Sequence, residues 1–188
     1  MPISNLNQEN YQEIYTAVVS WINNCDSKAT TVLSCIGVIA GIFCASDYSE
    51  KLTNMYISIL HLKTLWGVLY LVVWSASGIL IIVGCVFLVL VLASHTNIDE
   101  FKNRMIRRDS LIFFTTIAEN KTLLEYRKKL ARYDIKKLNS DYISQIYICS
   151  IICNKKFKNY RIGLIMSVMG FILFSVFLAI GHIITNIE

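Results

Sequence analysis

The sequence predicts an all-α integral membrane protein in which three transmembrane helices extend into a cytoplasmic helical bundle, with the N-terminus inside. Hydrophobic residue types make up 55% of the 188 residues and charged types only 16%, whereas a soluble domain carries about 25% charged residues. The chain contains three long uncharged runs, and 15 of its 18 basic residues lie within residues 96–161. Its high hydrophobicity excludes intrinsic disorder, and its length predicts a single domain over residues 1–188.

Each uncharged run is long enough to cross the hydrocarbon core of a bilayer. The first span covers residues 29–46, and these 18 residues extend roughly 27 Å as a helix. The second covers residues 64–94, which is too long for one upright span and too short for two. It is therefore predicted as a single tilted helix that protrudes from the bilayer. The third covers residues 162–182. All three must be helical, because lipid offers no partners to free backbone groups.

The distribution of charge predicts the orientation of these spans. Residues 96–161 hold 15 basic and 7 acidic residues, a net charge of +8, and basic loops remain in the cytoplasm. Residues 95–161 are therefore predicted as a cytoplasmic basic helical region, and residues 1–28 as a cytoplasmic N-terminal helix. Residues 47–63 are predicted as a short outer loop, and the tail after residue 182 is expected outside the membrane.

Helical periodicity continues beyond the spans. Apolar residues recur at three- and four-residue spacing upstream of the first span, which predicts one helix from about residue 7 to residue 46. This stripe consists of Tyr11, Ile14, Tyr15, Val18, Ile22 and Cys25. Ile98, Phe101 and Met105 repeat the spacing after the second span, so that helix is expected to continue to Arg108.

A similar apolar stripe precedes the third span, and Asn139 and Ser140 are the predicted caps at the start of that helix. Thr122 and Glu125 form a capping-box pattern, which predicts a short helix up to about Tyr133. Residues 109–138 are therefore expected to form a small helical insertion between long helices.

The sequence does not favour an enzyme or a transporter. It contains no GxGxxG, P-loop, HExxH, GxSxG or CxxC pattern, each of which marks a catalytic or cofactor-binding arrangement. The three histidines fall on both predicted sides of the membrane, and Cys149 and Cys153 have no histidine nearby. We therefore expect no catalytic residue, no metal site and no cofactor. The uncharged runs also contain no proline, which argues against an ion-coupled transporter.

Small residues in two of the spans predict close helix packing. Gly37 and Gly41 form a GxxxG pattern in the first span, and Ser77 and Gly78 lie together in the second. Small side chains allow neighbouring helices to approach closely in lipid. These surfaces suit contacts within one subunit or between subunits, and a homo-oligomer is the expected assembly.

Three segments together resemble a known family. The first reads WINNCDSKA at residues 21–29, the second FFTTIA at residues 113–118, and the third QIYICSIICNKKF at residues 145–157. Their order and placement resemble the Pycsar transmembrane effector family (PycTM). The resemblance covers nearly the whole chain, from about residue 10 to residue 180.

The resemblance implies a multi-pass protein of the bacterial inner membrane that acts in antiphage defence. Members of the family work beside a cyclase that makes cyclic CMP or cyclic UMP on infection. A cyclic pyrimidine mononucleotide is therefore the expected activating ligand. The effector then impairs the inner membrane and stops the host cell before the phage matures, an outcome called abortive infection.

Polar residues near the first and third spans supply the chemistry that a cyclic nucleotide needs. A carboxylate accepts from a base edge, an ammonium meets the cyclic phosphate, and an indole stacks on the base. The candidate ligand-binding residues are Trp21, Asp26, Lys28, Gln145, Ser150 and Lys156. Structural roles are the alternative. Trp21 and Asp26 would then anchor at the interface, Lys28 would reach the headgroups, and Gln145, Ser150 and Lys156 would pair with other polar residues of the bundle.

Arg104, Arg107 and Arg108 are predicted to lie beside the inner leaflet, where each positive charge contributes about 1 kcal/mol of attraction to anionic lipid. Membrane lipid is therefore an expected partner. Nucleic acid is not, because no recognised nucleic-acid-binding fold accompanies these arginines. Two other functions remain open: a holin-like or toxin-like protein that acts without a nucleotide, and a non-lethal membrane sensor that recruits a partner.

Overall fold

Six helices make up the described part of the chain. The computed structural model describes residues 7–61, 64–93 and 110–187. The helices are α1 (Gln8–Phe43), α2 (Ser46–His61), α3 (Leu65–Leu92), α4 (Phe114–Ala118), α5 (Leu123–Ala131) and α6 (Ile135–Ile187). No strand occurs within these ranges, and α1, α3 and α6 are long and apolar enough to cross a membrane. The predicted all-α membrane fold with three long apolar helices is confirmed.

The first helix ends slightly earlier than its apolar pattern predicts. Asn7 lies at its start, where its side-chain oxygen accepts from the Gln8 N–H at 2.8 Å. The helix then runs for 36 residues to Phe43, whereas the predicted end is residue 46. Most of the N-terminal apolar stripe and most of the first uncharged run therefore belong to one unbroken helix.

The segment predicted as an outer loop forms a helix instead. After a break at residues 44–45, α2 continues for 16 residues. Leu52, Met55 and Ile59 recur at helical spacing, and Met55 and Ile59 are buried against residues of α3 and α6. Tertiary contact with these two helices thus explains why a short, rather polar segment is helical.

Two further helices begin with a threonine cap. Thr64 accepts from the Gly67 N–H at 3.2 Å at the start of α3, which is one unbroken helix of 28 residues. Thr122 accepts from the Glu125 N–H at 3.2 Å at the start of α5, while the Glu125 carboxylate accepts from the Lys121 N–H at 3.3 Å. These bonds satisfy N–H groups that have no partner inside the helix.

The last helix begins earlier than predicted. Its first residue is Ile135, whose N–H donates to the Asp134 side chain at 2.7 Å. Asn139 and Ser140 lie inside the helix, so the prediction that they cap it was wrong. The true cap signal is Asp134, because a short carboxylate side chain can accept from the first free N–H groups of a helix.

The chain forms two compact units. In the described residues, unit 1 comprises 7–24 and 110–155, and unit 2 comprises 25–61, 64–93 and 156–187. Helices α1 and α6 contribute residues to both units. The apolar stripe predicted at residues 98–105 lies outside the described residues.

Unit 2 has an apolar core with two clusters. One joins α1 to α3 through Cys25, Ala29, Leu88 and Val91, with Tyr160 of α6 packed against it. The other joins α2 to α3 through Met55, Ile59, Leu71 and Trp74, with Phe174, Phe177 and Leu178 of α6 alongside. Each cluster therefore includes residues from three helices.

Helices α3 and α6 approach each other very closely within unit 2. A Cβ atom added at Gly84 would lie 2.7 Å from the Ser167 nitrogen and 2.9 Å from the Gly163 oxygen. One added at Gly170 would lie 3.0 Å from the Ser77 oxygen. No side chain fits at these distances, so the contact depends on glycine.

Candidate functional site

The core of unit 1 contains buried polar groups. Asp141 is fully buried, and its carboxylate accepts from the Leu111 N–H at 3.0 Å and from the Tyr133 hydroxyl. Ser110 is also buried and accepts from the Ile112 N–H at 3.2 Å. The carboxylate of α6 therefore fixes both the segment before α4 and the turn before α6 itself.

Gln145 lies one helical turn beyond Asp141, on the same face of α6. Its side chain is only 3% exposed, and its Oε1 atom has no hydrogen-bond partner among the described residues. An unpaired buried acceptor costs about 1–3 kcal/mol. Such a group marks a candidate ligand contact, because a ligand donor would recover this cost.

Aromatic and thiol groups complete this part of unit 1. The rings of Tyr15 and Tyr142 pack edge to face, with centroids 5.9 Å apart. The pKa of Tyr15 is raised mainly by burial, and the nearby Cys149 and Tyr142 raise it further. The pKa of Cys149 is likewise raised mainly by burial, and Cys153 raises it further. Both groups therefore stay neutral at physiological pH, and they add polarity to this core without adding charge.

An ion pair joins α1 to α6 in unit 2. The Lys156 Nζ lies 2.6 Å from the Asp26 Oδ1 and 2.8 Å from the Asp26 Oδ2. The Lys156 side chain is 8% exposed and that of Asp26 is 33% exposed. A buried charge without a partner is costly, and the Asp26 carboxylate compensates the Lys156 ammonium. The two bonds to Asp26 use two of the three N–H donors of the ammonium, so a phosphate that needs more than one of them would have to displace Asp26.

Comparison with known proteins identifies the family. The model of the Pycsar effector protein domain, PycTM, matches residues 10–181. The Pycsar effector protein GmPycTM of Gulbenkiania mobilis is 30% identical over 164 residues, which cover 81% of this chain and 83% of that protein. The chain belongs to the PycTM family. The predicted family resemblance is thus confirmed, and the protein is a membrane protein of antiphage defence. No solved structure gives a significant match.

The structure places the predicted ligand residues of this PycTM protein in different surroundings. Asp26 and Lys156 come together in unit 2, whereas Lys28 is exposed and does not join the pair. In unit 1, Gln145 is buried, but Trp21 is 58% exposed and Ser150 is also exposed. Their roles in ligand binding stay predictions.

Of the four residues predicted to support helix packing, one is buried against another helix and three are not. Ser77 is fully buried and its carbonyl faces Gly170. A Cβ atom added at Gly37, Gly41 or Gly78 would meet nothing within 4 Å among the described residues. These three glycines therefore do not support the close α3–α6 approach, and a role between subunits stays a prediction. Arg104, Arg107 and Arg108 lie outside the described residues.

Several residues that organise the two units of this PycTM protein were not predicted from the sequence. Asp141 stands four residues before Gln145 on an otherwise apolar face, a spacing that could have indicated a buried polar pair. Gly163, Ser167 and Gly170 recur at spacings of four and three residues in the third span. That pattern resembles the GxxxG spacing of the first span, and it marks the true helix contact.

Proposed function

We propose that this PycTM protein is a cyclic-nucleotide-responsive effector that impairs the integrity of the bacterial inner membrane. A partner cyclase would make cyclic CMP or cyclic UMP when a phage infects the cell. Unit 1 would face the cytoplasm, in agreement with the charge of residues 96–161. Membership of the family and its relative, which is named as a Pycsar effector, support this proposal.

The proposed nucleotide binding is supported mainly by the buried polar face of α6 that contains Asp141 and Gln145. A pyrimidine base has neighbouring donor and acceptor groups: cytosine donates through its amino group and accepts at N3, and uracil donates from N3 and accepts at O4. The amide of Gln145 offers an acceptor and two donors. In one orientation it matches cytosine, and after rotation by half a turn it matches uracil. The unpaired Gln145 Oε1 would gain a partner in either case.

Helix α6 offers a direct route from ligand to membrane. It carries Gln145 in unit 1, and it carries Gly163, Ser167 and Gly170 against α3 in unit 2. If α6 can pack in two ways, a ligand shifts the equilibrium between them only as far as it binds one packing more tightly than the other. We infer that nucleotide binding favours a second packing of α6, and that loosening the tight α3–α6 contact raises membrane permeability.

Membrane potential in cells that express the protein tests this proposal. Membrane-permeant cyclic CMP and cyclic UMP are added separately, with permeant cyclic AMP as the control. Depolarisation with a pyrimidine nucleotide alone is the expected result. Depolarisation without any nucleotide would instead identify an autonomous toxin. No depolarisation, with the protein in the membrane and uptake verified, would overturn the proposal and favour a partner-recruiting sensor.

A further inference from the structure

A cavity of about 530 Å³ lies in unit 2 beside the break between α1 and α2. Phe43, Met55 and Leu178 supply apolar walls from α1, α2 and α6, and Lys51, Asn54 and His182 supply polar groups. Cavities of roughly 300–1,000 Å³ hold small molecules or parts of larger ones. The proposed response to a nucleotide does not use this cavity.

The lining of the cavity crosses the predicted boundary of the membrane. Phe43 and Leu178 belong to the predicted spans at residues 29–46 and 162–182, and His182 is the last residue of the latter, whereas Lys51, Asn54 and Met55 lie beyond the end of the first span. One side of the cavity therefore lies where acyl chains begin, and the other lies where headgroups are found. A water-soluble metabolite would not need the apolar side, but a membrane phospholipid would use both.

The charges of the cavity favour an anionic headgroup. Lys51 supplies a positive charge, and no acidic residue is among the described residues that line the cavity. The Lys51 ammonium lies 6.0 Å from the centre of the Tyr48 ring, an attractive contact that holds it beside the cavity. A lysine ammonium is a compact charge that suits a phosphate, and Asn54 offers amide N–H donors on the same helix.

We propose that this cavity binds one membrane phospholipid, with its phosphodiester at Lys51 and Asn54 and the start of an acyl chain between Phe43 and Leu178. The lipid would fill the gap left where α1 ends and α2 begins. A headgroup with a net negative charge, such as phosphatidylglycerol, binds better than a zwitterionic one, because Lys51 then neutralises an uncompensated charge.

Native mass spectrometry of the purified full-length protein in detergent tests the proposal. The protein is titrated with phosphatidylglycerol and with phosphatidylcholine of the same acyl chains. One positive charge at a lipid phosphate corresponds to about fivefold in affinity, so we expect the first phosphatidylglycerol to bind about fivefold more tightly. Lys51→Gln should remove this preference, whereas Lys51→Arg should keep it.

Lys158→Gln is the matched control, because Lys158 is an exposed lysine of unit 2 that does not line the cavity. Equal loss in Lys51→Gln and Lys158→Gln would show general surface attraction and overturn the proposal. Equal affinity of the native protein for the two lipids would also overturn it. Displacement of the lipid by millimolar inorganic phosphate would show a site for a free anion instead.

Discussion

Lys156 of α6 donates hydrogen bonds to both carboxylate oxygens of Asp26 in α1, at 2.6 and 2.8 Å. The lysine is almost completely buried, while a third of the aspartate side chain remains exposed. The pair lies next to the cluster formed by Cys25, Ala29 and their α3 partners. It therefore holds α1 and α6 together where the apolar part of unit 2 begins.

Asp26→Asn should destabilise the protein, because it leaves the Lys156 ammonium buried without a negative partner. We expect the free energy of unfolding to fall by about 3 kcal/mol. This value is near the lower end of the range for breaking a buried ion pair, because Asp26 is partly exposed. The double variant Asp26→Leu with Lys156→Met should recover most of this loss, since it buries no charge. Thermal unfolding of the purified protein in detergent measures both effects.

Lys158→Gln serves as the control for the ion pair, and as an exposed substitution it should change stability by less than about 0.5 kcal/mol. If Asp26→Asn unfolds at the native temperature, the pair does not hold the two helices together. If the double variant is as unstable as the single one, the loss has a cause other than a buried charge.

Gln145→Leu separates a ligand contact from a structural role. The leucine is similar in size and removes an acceptor that has no partner among the described residues, so we expect the unfolding temperature to change little. Binding of a cyclic pyrimidine nucleotide should weaken by about tenfold or more, because a buried hydrogen bond is lost. Equilibrium binding to the purified protein gives the affinity.

Ser144→Ala is the matched control for Gln145, because the Ser144 hydroxyl donates to the Ser140 carbonyl of its own helix. It should leave both binding and stability unchanged. A strong loss of stability in Gln145→Leu with unaltered nucleotide affinity would show that Gln145 is structural. Absence of nucleotide binding by the native protein would contradict the proposed function as a whole.

Different physical rules explain which parts of this protein could be predicted. The long helices follow from uncharged runs, because a chain in lipid must satisfy its backbone within the helix. Helix α2 was not predicted, because the charged residues Asp47, Glu50 and Lys51 interrupt the short apolar stripe that packs on α3 and α6. Its helical state depends on neighbours far away in the sequence.

The candidate site shows the same limit. Asp26 and Lys156 stood out as charged residues near spans, but their pairing joins positions 130 residues apart. The contact between Leu111 and Asp141 joins positions 30 residues apart. Local patterns predict which residues are polar on an apolar face, whereas the partner of each is set by how the helices pack.

Asp141→Leu should destabilise unit 1 by about 2–3 kcal/mol, because it removes the carboxylate that accepts from the buried Leu111 N–H and from the half-buried Tyr133 hydroxyl. Tyr133→Phe removes one donor and keeps the carboxylate, so its cost should be near 1 kcal/mol. Limited proteolysis measures the local stability of unit 1. Residues 110–133 should be cut faster in Asp141→Leu than in the native protein. Equal cleavage rates in the native protein and Asp141→Leu would show that the carboxylate does not fix this segment.

Gly84→Ile and Gly37→Ile should differ in their effect on stability, although both place isoleucine in a predicted span. A Cβ at Gly84 would overlap the backbone of α6, whereas one at Gly37 would meet nothing within 4 Å among the described residues. Gly84→Ile should therefore separate α3 from α6 and lower the unfolding temperature strongly. Gly37→Ile should leave the monomer intact, because the site is open and isoleucine is a better helix former than glycine.

The oligomeric state of the Gly37 variant then tests whether the exposed GxxxG surface joins subunits. Cross-linking in membranes should show fewer oligomers for Gly37→Ile than for the native protein, since isoleucine prevents close helix approach. Val38→Ile is the control, because Val38 is an exposed neighbour that does not belong to the GxxxG pattern. Unchanged cross-linking in Gly37→Ile would remove Gly37 and Gly41 from the subunit contact, and any oligomer must then form through another surface.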